Sequence, residues 1–337
     1  MRKSKKVISV EWLFVFFILT ALLSCGGEKI KIKYKKIEFH KSSVSHISQN
    51  IPSVNFAKKA LNNIFVTEKQ VWKIDLENNK EDIYIKSGVG PNEILKPKRI
   101  VFFHDNIWIN LQYPDRHIYR FPAAASDLKL EILNFNTAFL FDDFQPIQDN
   151  KVVMVYTYWE NELVRIYDLD TKKMKKGGKP YYVEAMQHFN ISSASVAVLN
   201  DKAYIIQSIK PEVQVFSLPA LEKVEIIEMN PPFFKEMPAK YEIDKFDNKA
   251  HFKWMSSWTR LADIMVDGNC LLIKYRKGYE QCYYYELIDL DSLNRRFFID
   301  ETVDSVFDFK VRENTIFLEM YEQQEEQIVW KKAEVLF

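Results

Sequence analysis

The chain has 337 residues, a formal net charge of +1 and 47% hydrophobic residues. Its 47 Lys and Arg are balanced by 46 Asp and Glu, so it lacks the basic excess that phosphate-backbone binding needs, which argues against nucleic acid as a partner. Three cysteines without C-x-x-C or clustered His/Cys spacing provide no zinc framework.

The first element is an export signal. Arg2, Lys3, Lys5 and Lys6 precede an apolar run from Trp12 to Leu23, followed by Ser24-Cys25-Gly26-Gly27. The run is about twelve residues, short of the ~20 that a spanning helix requires, and has the proportions of a secretory h-region. Leu22-Leu23-Ser24-Cys25 resembles the bacterial lipobox. That resemblance implies cleavage before Cys25 and lipid on its thiol and new amine. The competing readings are an ordinary signal peptide, or an uncleaved helix with an incidental Cys. Gly26, where an Asp would signal inner-membrane retention, leaves the outer membrane as the expected address. Cleavage removes four basic residues and one acidic residue, so 47 and 46 become 43 and 45, and the mature charge is −2. An exported compartment permits disulfides, but the strand reading places Cys282 nearest Tyr275 rather than Cys270, which argues against that pair.

A repeat then runs along the chain. Each unit has an apolar stretch, a tight polar turn, a second apolar run, a polar loop, and one or two further strand-like runs. The second runs begin at Ile64, Ile107, Val152, Ala203, Cys270 and Thr315, at intervals of 43, 45, 51, 67 and 45 residues. Asn, Asp and Gly at the turns suit left-handed hairpin conformations. Alternation and β-branched or aromatic enrichment favour strands. Fourth strands are expected at "EDIYI", "LKLEIL", "KPYYVEA", "KVEIIEM" and "RRFFI". Four strands in about 45 residues is a propeller blade. Six such units predict an all-β, six-bladed β-propeller of four-stranded antiparallel blades over residues 30–337. Residues 1–24 are the signal, and residues 25–29 the lipid anchor and tether. The sixth unit lacks a fourth strand, and "IKIKYKKIEF", residues 30–39, is spare. This N-terminal strand is expected to close the last blade.

Between the first two units lies "SGVGPNEILKPKRI", residues 87–100. A phosphate cradle needs a helix after the glycines, but here Pro97 and a strand-like run follow. Gly88, Gly90, Pro91, Glu93 and Pro97 are therefore read as a structural turn between blades. Continued to residue 122 through Asn106-Ile107-Trp108-Ile109 and Arg116-His117-Ile118, this stretch resembles the NHL type of propeller repeat. Asn110 departs from that pattern, and the other five units are degenerate. The G-x-G-P-x-E start, together with the lipobox, is also similar to TolB-like six-bladed propeller lipoproteins of Gram-negative cell envelopes. The resemblance implies an envelope-facing propeller.

In a propeller, the loops joining second to third strands and those joining successive blades share one face, the default ligand site. Tyr113, Asp115, Arg116, His117, Trp159, Glu160, Arg276 and Tyr279 fall on the within-blade loops. Tyr158, Glu162 and Glu280 lie beside them. The long interval contains "PPFFKEMPAKYEIDKFDNKAHFKWMSSWTR", residues 231–260, read as an inserted loop or lid. Trp254 and Trp258 share a face if that segment turns helically. They then either stack on a ligand or form the lid's own core. No G-x-S-x-G elbow is present, and no catalytic residue is assigned. The chain therefore reads as a non-enzymatic binding or scaffold module for a protein, peptide or glycan. The alternative is a hydrolase or lyase with carboxylates at the channel mouth. No cofactor is expected, although calcium is compatible with that alternative.

Overall fold

The computed structural model describes residues 35–36, 40–41, 56–60, 63–67, 70–75, 78, 80–88, 93–94, 97–111, 118–122, 131–133, 141–156, 161–185, 193–241, 243, 247–278, 283–300, 305–312, 315–324 and 327–336. The signal segment and Cys25 lie outside these residues.

The described chain is all-β, with mostly antiparallel sheets in a propeller arrangement. Two short strands come first, β1 (Lys35–Lys36) and β2 (His40–Lys41). The first sheet holds β3 (Phe56–Ala60), β4 (Asn63–Thr67), β5 (Val71–Asp75), β6 (Lys80–Ser87) and β7 (Glu93–Ile94). The second holds β8 (Pro97–Phe103), β9 (Asn106–Leu111), β10 (Ile118–Pro122) and β11 (Glu131–Leu133). The third holds β12 (Asp143–Ile147), β13 (Lys151–Val155), β14 (Val164–Asp168) and β15 (Met174–Gly177). The fourth holds β16 (Ala194–Leu199), β17 (Lys202–Gln207), β18 (Lys210–Ser217) and β19 (Lys223–Glu228). Helix α1 (Asn248–Met255) follows. The fifth sheet holds β20 (Thr259–Asp267), β21 (Cys270–Lys277), β22 (Tyr283–Asp289) and β23 (Arg295–Asp300). The sixth holds β24 (Ser305–Arg312), β25 (Thr315–Gln324) and β26 (Gln327–Leu336).

From its first strand outward each sheet is an antiparallel meander in sequence order, apart from the parallel pair β6–β7 and the strands β1 and β2 added at the outer edges of the fifth and sixth sheets. The first strands lie side by side. β3 neighbours β8, then β12, β16, β20 and β24 follow in turn, and β24 returns to β3. All six expected onsets, Ile64, Ile107, Val152, Ala203, Cys270 and Thr315, fall on the second strands. The turns before Val152, Ala203 and Cys270 carry the left-handed residues Asp149, Asn150, Asn200, Asp201 and Gly268, and in the turn before Ile107 the left-handed residue is His104.

Apolar side chains on both faces of the inner strands explain the stacking of one sheet on the next. Ile100 and Ile107 pack back toward the first sheet, whereas Val101 and Trp108 pack forward onto Phe144, Val152 and Met154 of the third. The same handover joins the third sheet to the fourth, the fourth to the fifth and the fifth to the sixth. A sheet covered on both faces reads as a near-continuous apolar run, as in β13 and β17.

Two expectations need correction. "KPYYVEA" is not a fourth strand. The outer strand of the third sheet is β15, which ends at Gly177, and Gly178 at φ +66 turns the chain away. Tyr181, Val183 and Ala185 then pack under the long insertion. Among the described residues, the strand that closes the last sheet lies just beyond residues 30–39. His40 and Lys41 pair antiparallel with Lys332 and Lys331 of β26 and complete the sixth sheet. Lys35 and Lys36 pair parallel with Phe298 and Ile299 at the edge of the fifth.

Candidate functional site: the polar layer at the inner strands

The six inner strands can be aligned on their hairpin turns. Counting back four residues from the last paired residue gives Phe56, Arg99, Asp143, Ser195, Asp263 and Asp308. One residue later comes an apolar side chain in five of these sheets: Ile100, Phe144, Val196, Ile264 and Phe309, each buried against the preceding sheet. Alternation therefore points Arg99, Asp143 and Ser195 forward, toward the following sheet. A β-bulge sits at this level in β8, β20 and β24. Bulges re-aim side chains at the rims of barrels and near sites.

The forward pointing shows in the contacts. Arg99 Nη1 lies 2.6 Å from Asp143 Oδ2. The Ser195 hydroxyl is 2.8 Å from Asp143 Oδ2 and 2.8 Å from Asp263 Oδ1. The Val196 N–H donates to Asp143 Oδ2 at 3.0 Å, and the Phe144 N–H to Oδ1 at 2.7 Å. Arg99 Nη2 is 3.7 Å from Asp263. Four sheets are thus tied by one network. Asp143 is 1% exposed, Arg99 19% and Asp263 24%. Burial pushes the Asp143 carboxyl above the usual carboxylate range, against the pull of the Arg99 charge. Burial works to lower Arg99, but Asp143 and Asp263 outweigh it and hold the guanidinium protonated.

Both oxygens of Asp143 are occupied by donors, which removes it as a free acid or base. Among the described residues, no group of three or more His, Cys, Asp or Glu side chains is placed to hold a metal ion. Another buried carboxylate, Glu286, accepts the Tyr275 hydroxyl and lies 3.5 Å from Arg295. Burial pushes the Tyr275 hydroxyl well above its usual pKa, and Glu286 adds to the shift.

The insertion sits beside this layer, on the face of the second-to-third loops. The Leu261 N–H donates to Ser208 O, and the Gly278 N–H to Trp258 O. Asp247 caps α1 by accepting the Ala250 N–H. Trp258 is 1% exposed, and its ring centroid is 5.9 Å from that of Trp254, which packs at 5.1 Å on Tyr241. With Ile209, Met237 and Met255 they form a core shared by the insertion and the Ile209 loop of the fourth sheet. Trp258 therefore presents no ring face to a ligand, which corrects the stacking reading for that residue. Gly278, at φ +53, allows this docking. A Cβ there would sit 2.3 Å from the Ser256 Cα.

Of the other residues singled out from the sequence, Arg276 lies at the end of β21, 5.9 Å over the Tyr283 ring. Tyr113, Asp115, Arg116, His117, Tyr158, Trp159, Glu160, Tyr279 and Glu280 lie outside the described residues, as do Gly90 and Pro91. Gly88 is a close approach: a Cβ there would meet Glu93 Oε2 at 1.9 Å. Glu93 and Ile94 pair parallel with Lys86 and Ser87, and Pro97 opens β8. A strand, not a helix, follows these residues, so the stretch is a connection between sheets.

No protein-family model matches the sequence, and no curated protein matches it. Solved structures do. A member of the DUF4221 family from Bacteroides vulgatus aligns with a TM-score of 0.59 at 12% identity, over 90% of this chain and 99% of that one. A "putative exported protein" from Bacteroides fragilis aligns with a TM-score of 0.54 at 10% identity, over 90% and 95%. At these identities the likeness is one of fold alone, over nine-tenths of the chain.

Proposed function

We propose that the protein is an exported, lipid-anchored six-bladed propeller that works by contact rather than chemistry. Each of the six sheets is one blade in this reading, and the cycle of inner strands returning to β3 supports closure. The N-terminal signal and lipobox support export and attachment through Cys25, with the outer membrane as destination. A solved structure of similar fold is described as a "putative exported protein". The partner is a protein, peptide or glycan met by the loop-rich face.

The observation that carries this reading is the saturation of Asp143. Its oxygens are held by Arg99, Ser195 and two backbone N–H groups. A buried polar group with every partner filled specifies structure, whereas a catalytic pair needs a group free to exchange a proton. Calcium belongs to the competing reading, in which channel-mouth carboxylates act on a substrate.

The test is site-specific photo-crosslinking in the cell envelope. A photoreactive residue at Tyr113, Trp159 or Tyr279 should give one discrete cross-linked species. The same residue at Val224, 52% exposed on β19, should give none. Cross-links from Val224 alone would place the partner on the outer edge and defeat the proposal. In the same cells, Cys25→Ala should move the protein from the membrane to the soluble fraction.

A further inference from the structure

A pocket of about 450 Å³ opens at the hairpin ends of the third and fourth sheets, opposite the insertion. That size lies within the range of small-molecule sites. Its floor is apolar: Phe103, Ile147, Val198 and Leu218 line it. These side chains also pack against the inter-sheet cores, so the floor is preformed. All four are half-buried, and their uncovered surfaces converge on one space.

The rim is built of amides. Gln145, Gln148 and Asn200 line the pocket, and among the described residues their side chains make no hydrogen bond within the protein. An amide presents donors and an acceptor together, which matches a hydroxyl that does the same. The charges in the lining are Asp149, Asp201 and Lys151. Lys151 Nζ is already 3.3 Å from Asp149, so no cation is left for an anionic ligand, and the balance is negative.

We propose that this pocket binds a neutral saccharide, with sugar hydroxyls on the amides and a C–H face on the Phe103 floor. This site is separate from the loop-rich face and does not rest on the reading above. Whole mature protein would be screened by saturation-transfer NMR against neutral trisaccharides of glucose, mannose, xylose and N-acetylglucosamine, with trigalacturonate as the acidic comparison. At least one neutral trisaccharide should receive saturation, and trigalacturonate none. Gln145→Ala/Gln148→Ala should weaken the affinity by about tenfold, the effect of losing two modest hydrogen bonds. Val198→Tyr, which fills the pocket, should abolish transfer. Thermal melts of both variants should stay near the parent's, separating lost binding from lost folding. If no neutral trisaccharide binds, or if binding survives both variants unchanged, the proposal is wrong.

Discussion

Asp143→Ala should cost about 3–5 kcal/mol of stability, the range for stranding one member of a buried ion pair. In a domain of this size the melting temperature should fall by roughly 10 °C. The reason is the geometry of the inner layer. Arg99 gives its closest ion pair to Asp143 at 2.6 Å, while Asp263 stands farther off at 3.7 Å. Removing Asp143 also takes the side-chain acceptor from the Val196 and Phe144 N–H groups and leaves the Ser195 hydroxyl with Asp263 alone. The double change Arg99→Met/Asp143→Leu should recover much of the loss, because the two most buried charges leave together and only the partly exposed Asp263 remains. Asp82→Ala is the contrast. Asp82 is 59% exposed beside Lys80, and its loss should cost under about 1 kcal/mol. Chemical denaturation of the three variants checks this, and a mild Asp143→Ala would mean that the layer is not a clasp.

Trp258→Ala should cost about 3–5 kcal/mol, the range for emptying a buried aromatic site. Its ring is the anchor of a core shared between the insertion and the Ile209 loop. Its backbone carbonyl receives the Gly278 N–H, and the next residue, Thr259, accepts from the Lys235 N–H. The insertion is therefore fixed to the fourth and fifth sheets at this point. Hydrogen exchange should quicken over residues 233–258 and stay unchanged over the second and third sheets, since local units open separately. Phe252→Ala, at a residue 57% exposed on α1, should be near neutral. Equal effects at Trp258 and Phe252 would show that this core does not hold the insertion.

Much of the architecture was legible because hairpin turns punctuate it. Asn, Asp or Gly precedes each of Ile64, Ile107, Val152, Ala203, Cys270 and Thr315, each of these onsets lies on a second strand, and before Val152, Ala203 and Cys270 those residues take the left-handed turn conformation. "KPYYVEA" was misread because its alternation suits a strand, while its aromatic residues serve the core beneath the insertion. The polar layer was missed for a different reason. Arg99, Asp143, Ser195 and Asp263 are separated by 44, 52 and 68 positions, and each alone resembles an ordinary polar residue opening a strand. Aligning the six runs on their turns, rather than on their onsets, would have placed all four in one register. The ligand-face loops offered no comparable signal, since polar and aromatic loop residues follow from solvation as readily as from binding.

The closure of the ring is the claim on which the rest depends. It is tested most directly by scanning calorimetry of the mature protein with residues 35–41 deleted. These residues pair with both the fifth and the sixth sheets. The account predicts a single cooperative transition shifted to lower temperature as a whole, because opening one sheet releases its neighbours on both sides. A melt superimposable on that of the full mature chain would contradict it.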